Sequence, residues 1–366
     1  MAAGKTVFAQ IVDRIHPEPF RRCFVRYHGN YKVRNFPCWE QFLAMAFAQV
    51  TYRESLADLE ICLRARPHQL YHMGFRSSVA HSTLADANAT RDWRILADLA
   101  QRLIARARRL YADESLGGEL NQTVYGLDST TIDLCLSLFP WARFRSTIAA
   151  VILHTLLDLR GPIPTMISIS DGKQADVSIL DELVPEPGAF YVMDRGYLAL
   201  ERLYRFVLVG AFFVTRTKAG VLLNRLASRP VDRPSGIRSD HIVRLRSQTS
   251  AKHYPDRLRR VAFRDAENGK VLVFLTNNFD LPAETIARLY KLRWRVELFF
   301  KWIKQNLRIK HFFGTSDTAV RTQVWIAICV YVLVAIIRKE LRLKLSLSQI
   351  LPVLSVNPLS KCLCLN

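Results

Sequence analysis

The sequence predicts a two-part α/β protein: a helical leading region over residues 1–115, then a mixed α/β domain over 120–345 with a basic, strand-rich insertion at 218–264. Three observations predict it. Apolar residues recur at helical spacing through the first part. The texture then changes at Val124 to β-branched and aromatic runs that alternate with helical stretches. The stretch from Lys218 to Arg264 is crowded with Arg, Ser and Pro and contains a further strand pattern. A length of 366 residues suits two or three such units at ~150 residues each.

In the leading region, Pro37 opens a helical pattern through Trp39, Phe42, Leu43, Met45 and Ala46. Thr51-x-x-Glu54 has the form of a capping box before Leu56, Leu59, Ile61 and Leu63. Pro67 breaks the chain, Ser82 is placed to cap a short helix through Leu84 and Ala87, and Arg91 to Tyr111 continues in helical period. Short helices with basic residues between them suit a helix-turn-helix-like DNA module. Beyond Val124, VYGLDSTTIDLCL reads as a strand, as do Ile148 to Leu157, Thr165 to Ile169, AFYVMD (Ala189 to Asp194) and Ala211 to Thr215. Helices are expected near Asp176 to Leu183 and Leu198 to Phe206. HIVRLR and VLVFLTNN add strands before one long helix from Pro282 onward.

Charge narrows the partners. The chain carries 52 Lys and Arg against 32 Asp and Glu, a net +20, so it should attract polyanions. A membrane is the weaker choice. The longest apolar run, Val324 to Ile337, falls short of the ~20 residues that a spanning helix needs. MAAGKTVFAQIVDRIHPEPF shows no uninterrupted apolar core of a secretory signal. The seven cysteines lack zinc spacing and read as buried reduced thiols. A cytoplasmic, nucleic-acid-seeking protein is therefore expected. Arg225, Arg229, Arg233, Arg238, Arg244, Arg246, Arg257, Arg259 and Arg260 make the insertion a candidate DNA clamp.

The helix after Leu281 carries the sharpest chemistry. At helical spacing Tyr290, Arg293, Glu297, Lys301, Lys304 and Arg308 fall within an arc of about 80°. Val296, Phe299, Ile303 and Leu307 gather opposite. One carboxylate among cations and a tyrosine suits a metal held beside a phosphate backbone. Two further acids sit where sheets do chemistry. Asp128 interrupts an apolar strand and needs a partner there. Asp194 ends the run Phe190 to Met193, at the carboxyl end of a strand. Asp133 falls on the opposite strand face from Asp128. Oxygen-only ligands suit Mg²⁺ or Mn²⁺, and three acids can converge on a pair of ions.

The spacing Y-x2-R-x3-E-x6-K at Tyr290, Arg293, Glu297 and Lys304 resembles the signature of DDE insertion-sequence transposases of the IS-four family. YGLDSTTIDL resembles that family's first-Asp region and FYVMDRGY its second. The leading stretch from GNYKVRNF, with YHMGF and STLADAN, is also similar to the family's first domain, so the resemblance runs from about Lys5 to about Ser355. It implies an RNase H-like catalytic core interrupted by a mainly β insertion and preceded by a helical domain that binds transposon ends. Asp128, Asp194 and Glu297 become the metal-binding catalytic triad. Tyr290, Arg293 and Lys304, with Lys301 on the same face, become the residues that engage DNA phosphates. The implied activity is metal-dependent cleavage at terminal inverted repeats and strand transfer into target DNA, with a homodimer in the synaptic complex. A hairpin intermediate is a family trait. Two other activities fit the same residues: a nuclease without strand transfer, and a catalytically silent DNA-binding derivative. The tail over 346–366, ending NPLSKCLCLN, departs from family endings.

Overall fold

The computed structural model describes residues 5–65, 67–117, 120, 122–144, 149–172, 175–267, 269–306, 312–356 and 358–360. Seven helices come first: α1 (Val7–Val12), α2 (Pro17–Arg26), α3 (Cys38–Val50), α4 (Leu56–Arg64), α5 (Pro67–Met73), α6 (His81–Thr90) and α7 (Arg94–Leu110). Strands β1 (Val124–Leu134), β2 (Ala149–Asp158), β3 (Ile163–Asp171) and β4 (Phe190–Met193) lead to α8 (Leu200–Leu208) and β5 (Phe212–Arg216). Then come β6 (Leu223–Ser228), β7 (Ile237–Leu245), α9 (Gln248–His253), β8 (Leu258–Arg264) and β9 (Val271–Thr276). The chain ends in α10 (Ala283–Leu292), α11 (Trp294–Asn306), α12 (Asp317–Glu340) and α13 (Leu347–Val356).

Two compact units form. One comprises Met1–Asp113, Ile132–Val151 and Phe299–Asn366; the other comprises Glu114–Thr131 and Ile152–Leu298. Packing therefore groups the chain differently from the continuous ranges read off the sequence, because α12 is a core element of the helical unit. It packs on α7, α6, α3 and α1. Trp93 stacks on Trp325 at 6.4 Å, and the Tyr111 hydroxyl donates to the Ala335 carbonyl at 2.9 Å. The helix is also longer than its purely apolar run. Its 24 residues are long and apolar enough to cross a membrane, yet 94% of its most apolar window is buried inside the unit. The apolar run is core, with polar ends that extend the helix.

Two caps differ from expectation. The Thr51 hydroxyl turns back to donate to the Phe47 carbonyl at 2.7 Å, closing α3. Ser55 instead caps α4, accepting from the Asp58 N–H at 3.0 Å, and Asp58 accepts from Glu54 N–H at 3.3 Å. Pro67 starts α5 rather than simply breaking the chain. Ser82 lies inside α6, whose first N–H, on His81, donates to the Glu60 carboxylate from α4 at 3.0 Å. Among the cysteines, Cys23, Cys38 and Cys329 are buried as expected, whereas Cys62 is half-buried and Cys135 exposed. Cys362 and Cys364 lie outside the described residues.

The second unit is built on a nine-stranded sheet of order β3-β2-β1-β4-β5-β9-β8-β7-β6. β1, β4 and β5 run parallel. That order over β1 to β5 is the RNase H-like arrangement. The insertion does not stand apart: β6, β7 and β8 continue the sheet as antiparallel neighbours beyond β9. The core between sheet and helices gathers Tyr125, Leu127, Tyr191, Met193, Leu203, Phe206 and Phe213. Each such side chain contributes about 1.5–3 kcal/mol through burial.

Candidate active site

Strand register builds the first half of the site. In the β1–β4 pair Leu127 lies beside Met193, so Asp128 and Asp194 are the next residues on adjacent parallel strands. In the β4–β5 pair Met193 lies beside Thr215, which sets Arg216 next to Asp194. Where the parallel pairing ends, Asp128 within β1, Asp194 just past β4 and Arg216 at the end of β5 thus stand in one row, beyond the carboxyl end of β4, where open α/β sheets place their chemistry. Asp133 is exposed near the end of β1, and Asp171 is exposed at the end of β3.

The second half comes from α10 and α11. The expected single helix is divided at Arg293, where the bonds tighten: Arg293 N–H donates to Tyr290 carbonyl and Val296 N–H to Arg293 carbonyl, at 3.1 and 2.9 Å. At this joint the Arg293 guanidinium bridges two acids. One terminal nitrogen donates to Asp128 Oδ2 and the other to Glu297 Oε1, both at 2.5 Å. Tyr290 donates its hydroxyl to Asp194 Oδ1 at 2.9 Å, and its ring packs on Phe274 of β9. Tyr290, Arg293, Glu297 and both aspartates therefore meet in one cluster. Lys301 is exposed and Lys304 half-buried on α11, four and seven residues past Glu297 on the same helix face. Arg308 and Leu307 lie outside the described residues.

Gly126 is a residue the sequence reading missed. A Cβ there would sit 2.6 Å from Val296 Cγ2 and 3.0 Å from Leu159 Cδ2. Only a residue without a side chain lets α11 approach β1 closely two residues before Asp128. A glycine inside an apolar strand is the signal that could have revealed it. The two tryptophans of α11 separate: Trp294 is 59% exposed, whereas Trp302 is buried against Tyr331.

Electrostatics mark the acids. Burial pushes the Asp128 carboxyl up to about 6, against the pull of Arg293 and the Ser129 N–H, and the charges of Glu297 and Asp194 add to the rise. Burial acts on Asp194 too, but the Arg195 N–H, the Tyr290 hydroxyl, Arg293 and Arg216 together hold it below the usual range. Burial pushes Tyr290 up to about 12, so it stays a hydrogen-bond donor.

The donor set fits a hard divalent cation, being carboxylate oxygen throughout. Burial keeps Asp128 raised even with Arg293 beside it, and a cation bound at the cluster would lower it again. As arranged, no three ligand side chains among the described residues stand close enough to hold an ion, because Arg293 fills the gap between Asp128 and Glu297.

Within the insertion the arginines divide. Arg225, Arg233, Arg238, Arg244, Arg246 and Arg257 are exposed. Arg259 is only 1% exposed and grips Asp240 through both carboxylate oxygens, at 2.9 and 2.7 Å. Its charge is spent inside the protein, so it is not available to a DNA clamp.

Comparisons with known proteins identify the family. A Transposase DDE domain family matches residues 120–333, and a domain of unknown function (DUF4372) matches residues 3–76. A Sinorhizobium fredii protein named as transposase y4zB is 35% identical over 69% of this chain and 70% of its own length. A Geobacillus stearothermophilus protein named as the transposase of insertion sequence element IS5377 is 36% identical over 57% of this chain and 54% of its own. A Synechocystis protein named for element IS4SA is 24% identical over 85% and 86%. A solved piggyBac transposase synaptic complex with hairpin DNA superposes with a TM-score of 0.46 and 10% identity, covering 96% of this chain and 78% of that one. The chain belongs to the DDE transposases, enzymes of DNA cleavage and strand transfer that use divalent metal ions.

Proposed function

We propose that Asp128, Asp194 and Glu297 are the catalytic metal-binding acids of this transposase, and that Tyr290, Arg293, Lys301 and Lys304 engage the DNA backbone beside them. The observation that carries the reading is the cluster itself. Two acids lie side by side on parallel strands, and Arg293 ties one of them to the third. Two bound Mg²⁺ or Mn²⁺ ions supply activation of a water or 3′-hydroxyl and stabilisation of the leaving oxygen.

The chain's own residues do the rest. The Tyr290 hydroxyl orients Asp194. Arg293 holds Asp128 and Glu297 together in the metal-free chain; released from them, its planar fork is the group best shaped to grip a phosphate with two parallel hydrogen bonds. Lys301 and Lys304 extend positive charge along the same helix face, and the exposed insertion arginines add backbone contacts without reading sequence. The helical first region binds the terminal inverted repeats, target DNA enters the catalytic cluster, and two copies pair two ends in the synaptic complex. The work is done in the cytoplasm, at the nucleoid.

The test is cleavage of a duplex bearing the element's own terminal repeats, in Mg²⁺ and in Mn²⁺. Glu297→Ala and Asp194→Ala should each lower the cutting rate by about 10³-fold or more, with DNA binding retained. Full cutting by Glu297→Ala would remove Glu297 from the site.

A further inference from the structure

We infer that the helical unit holds a pocket for one unpaired nucleobase, between the loop joining α2 to α3 and the outer face of α6. The inference rests on the reading of this chain as a DNA-handling enzyme and adds a site that its catalytic cluster does not use. A groove of about 650 Å³ opens there, lined in part by His28, Tyr31, Asn35, Thr83, Asp86 and Thr90.

The loop is a fixed platform. Gly29 approaches α7 and α3 so closely that a Cβ would run into Ile95 Cδ1 and sit 2.7 Å from Cys38 Sγ. The Asn30 side chain accepts from the Cys38 N–H at 2.8 Å. His28 and Lys32 are both held in the left-handed region, at φ 52° and 57°. This backbone presents Tyr31, 70% exposed, with the Lys32 ammonium 5.3 Å from its ring centroid and His28 edge-on at 6.5 Å. An exposed aromatic beside a cation is a stacking surface for a base.

The opposite wall supplies hydrogen bonds. α6 turns Leu84, Ala87 and Asn88 inward. Its outward residues are His81, Ser82, Thr83, Asp86, Ala89 and Thr90, with no Lys, Arg or Glu among them. A merely solvated face usually carries long charged side chains. Thr83, Asp86 and Thr90 face the groove. The Asp86 carboxylate has no hydrogen bond or ion pair among the described residues. A carboxylate only accepts. Guanine offers two parallel donors, N1–H and N2–H, that match it, whereas the one N–H of thymine lies between two carbonyl oxygens that repel it. Lys32 and Arg34, both exposed on the loop, stand ready for the flanking phosphates. Guanine is therefore the base the pocket takes.

Fluorescence anisotropy on the full chain tests this with three labelled duplexes of equal length: fully paired, with one bulged guanine, and with one bulged thymine. Wild type should bind the guanine bulge about tenfold tighter than the paired duplex, the scale of one stacked base, and the thymine bulge no better than the paired one. Tyr31→Ala and Asp86→Ala should each erase that advantage and leave paired-duplex affinity unchanged, since neither removes a cation. Circular dichroism identical to wild type establishes that both variants are folded. The inference is overturned if wild type binds paired and bulged guanine duplexes equally, or if both variants keep the preference. Failure of wild type to bind any duplex would instead overturn the DNA-handling reading beneath it.

Discussion

Two Arg–Asp pairs in the second unit have opposite characters. Asp240 on β7 and Arg259 on β8 are 3% and 1% exposed, and every strong group is matched. Arg259 holds both Asp240 oxygens and spends another nitrogen on the Leu281 carbonyl at 2.6 Å. Asp128 and Arg293 are more open, at 18% and 16%. There the two terminal nitrogens go to different acids, and the buried Nε has no hydrogen-bond partner among the described residues. Burial still keeps the Asp128 carboxyl at about 6. A pair with every donor and acceptor matched holds the fold. A pair that shares one cation between two acids is less fully matched, and the divalent ions proposed above would supply further positive charge there.

The largest expected effect concerns the matched pair. Asp240→Ala would leave a buried guanidinium without its counter-charge and should cost about 3–5 kcal/mol of stability, read as the urea midpoint of the full chain. A loss below about 1 kcal/mol, the scale of an exposed pair, would make the two pairs equivalent and break the contrast.

A smaller effect of opposite sign belongs to the less fully matched pair. Folding raises the Asp128 carboxyl from 3.8 to about 6. The folded chain therefore keeps a proton that the unfolded chain has lost. The stability this lends is full below pH 3.8 and is lost as pH rises through about 6. Asn carries no charge at any pH, so metal-free Asp128→Asn should be more stable than wild type at pH 8, by up to about 3 kcal/mol. The gap should close near pH 4. Equal urea midpoints at pH 8 would show that Arg293 already satisfies Asp128.

The acids were legible in the sequence for a chemical reason. An aspartate inside an apolar strand, or at its end, conflicts with its surroundings, and Asp128 and Asp194 both stand out on that ground. Tyr290, Arg293 and Glu297 share a helix face through local spacing alone. The strands β1 and β4 were equally visible, being runs of apolar and β-branched residues. Pairing was not visible: that Asp128 lies beside Asp194 depends on a register set between segments more than sixty residues apart. For the same reason nothing separated Arg259 from its exposed neighbours, since its partner Asp240 is a strand away. The division of the helix at Arg293 was hidden too, because its residues are helix formers on both sides.

The proposed chemistry requires that the acid cluster completes itself with divalent cations. The most direct measurement is the electron paramagnetic resonance signal of free Mn²⁺, titrated at pH 8 with the full chain in its wild-type, Asp128→Asn and Glu297→Gln forms. Wild type should deplete the free-ion signal, and each substitution should weaken the depletion strongly. Equal depletion by all three proteins, or none by wild type, would contradict it.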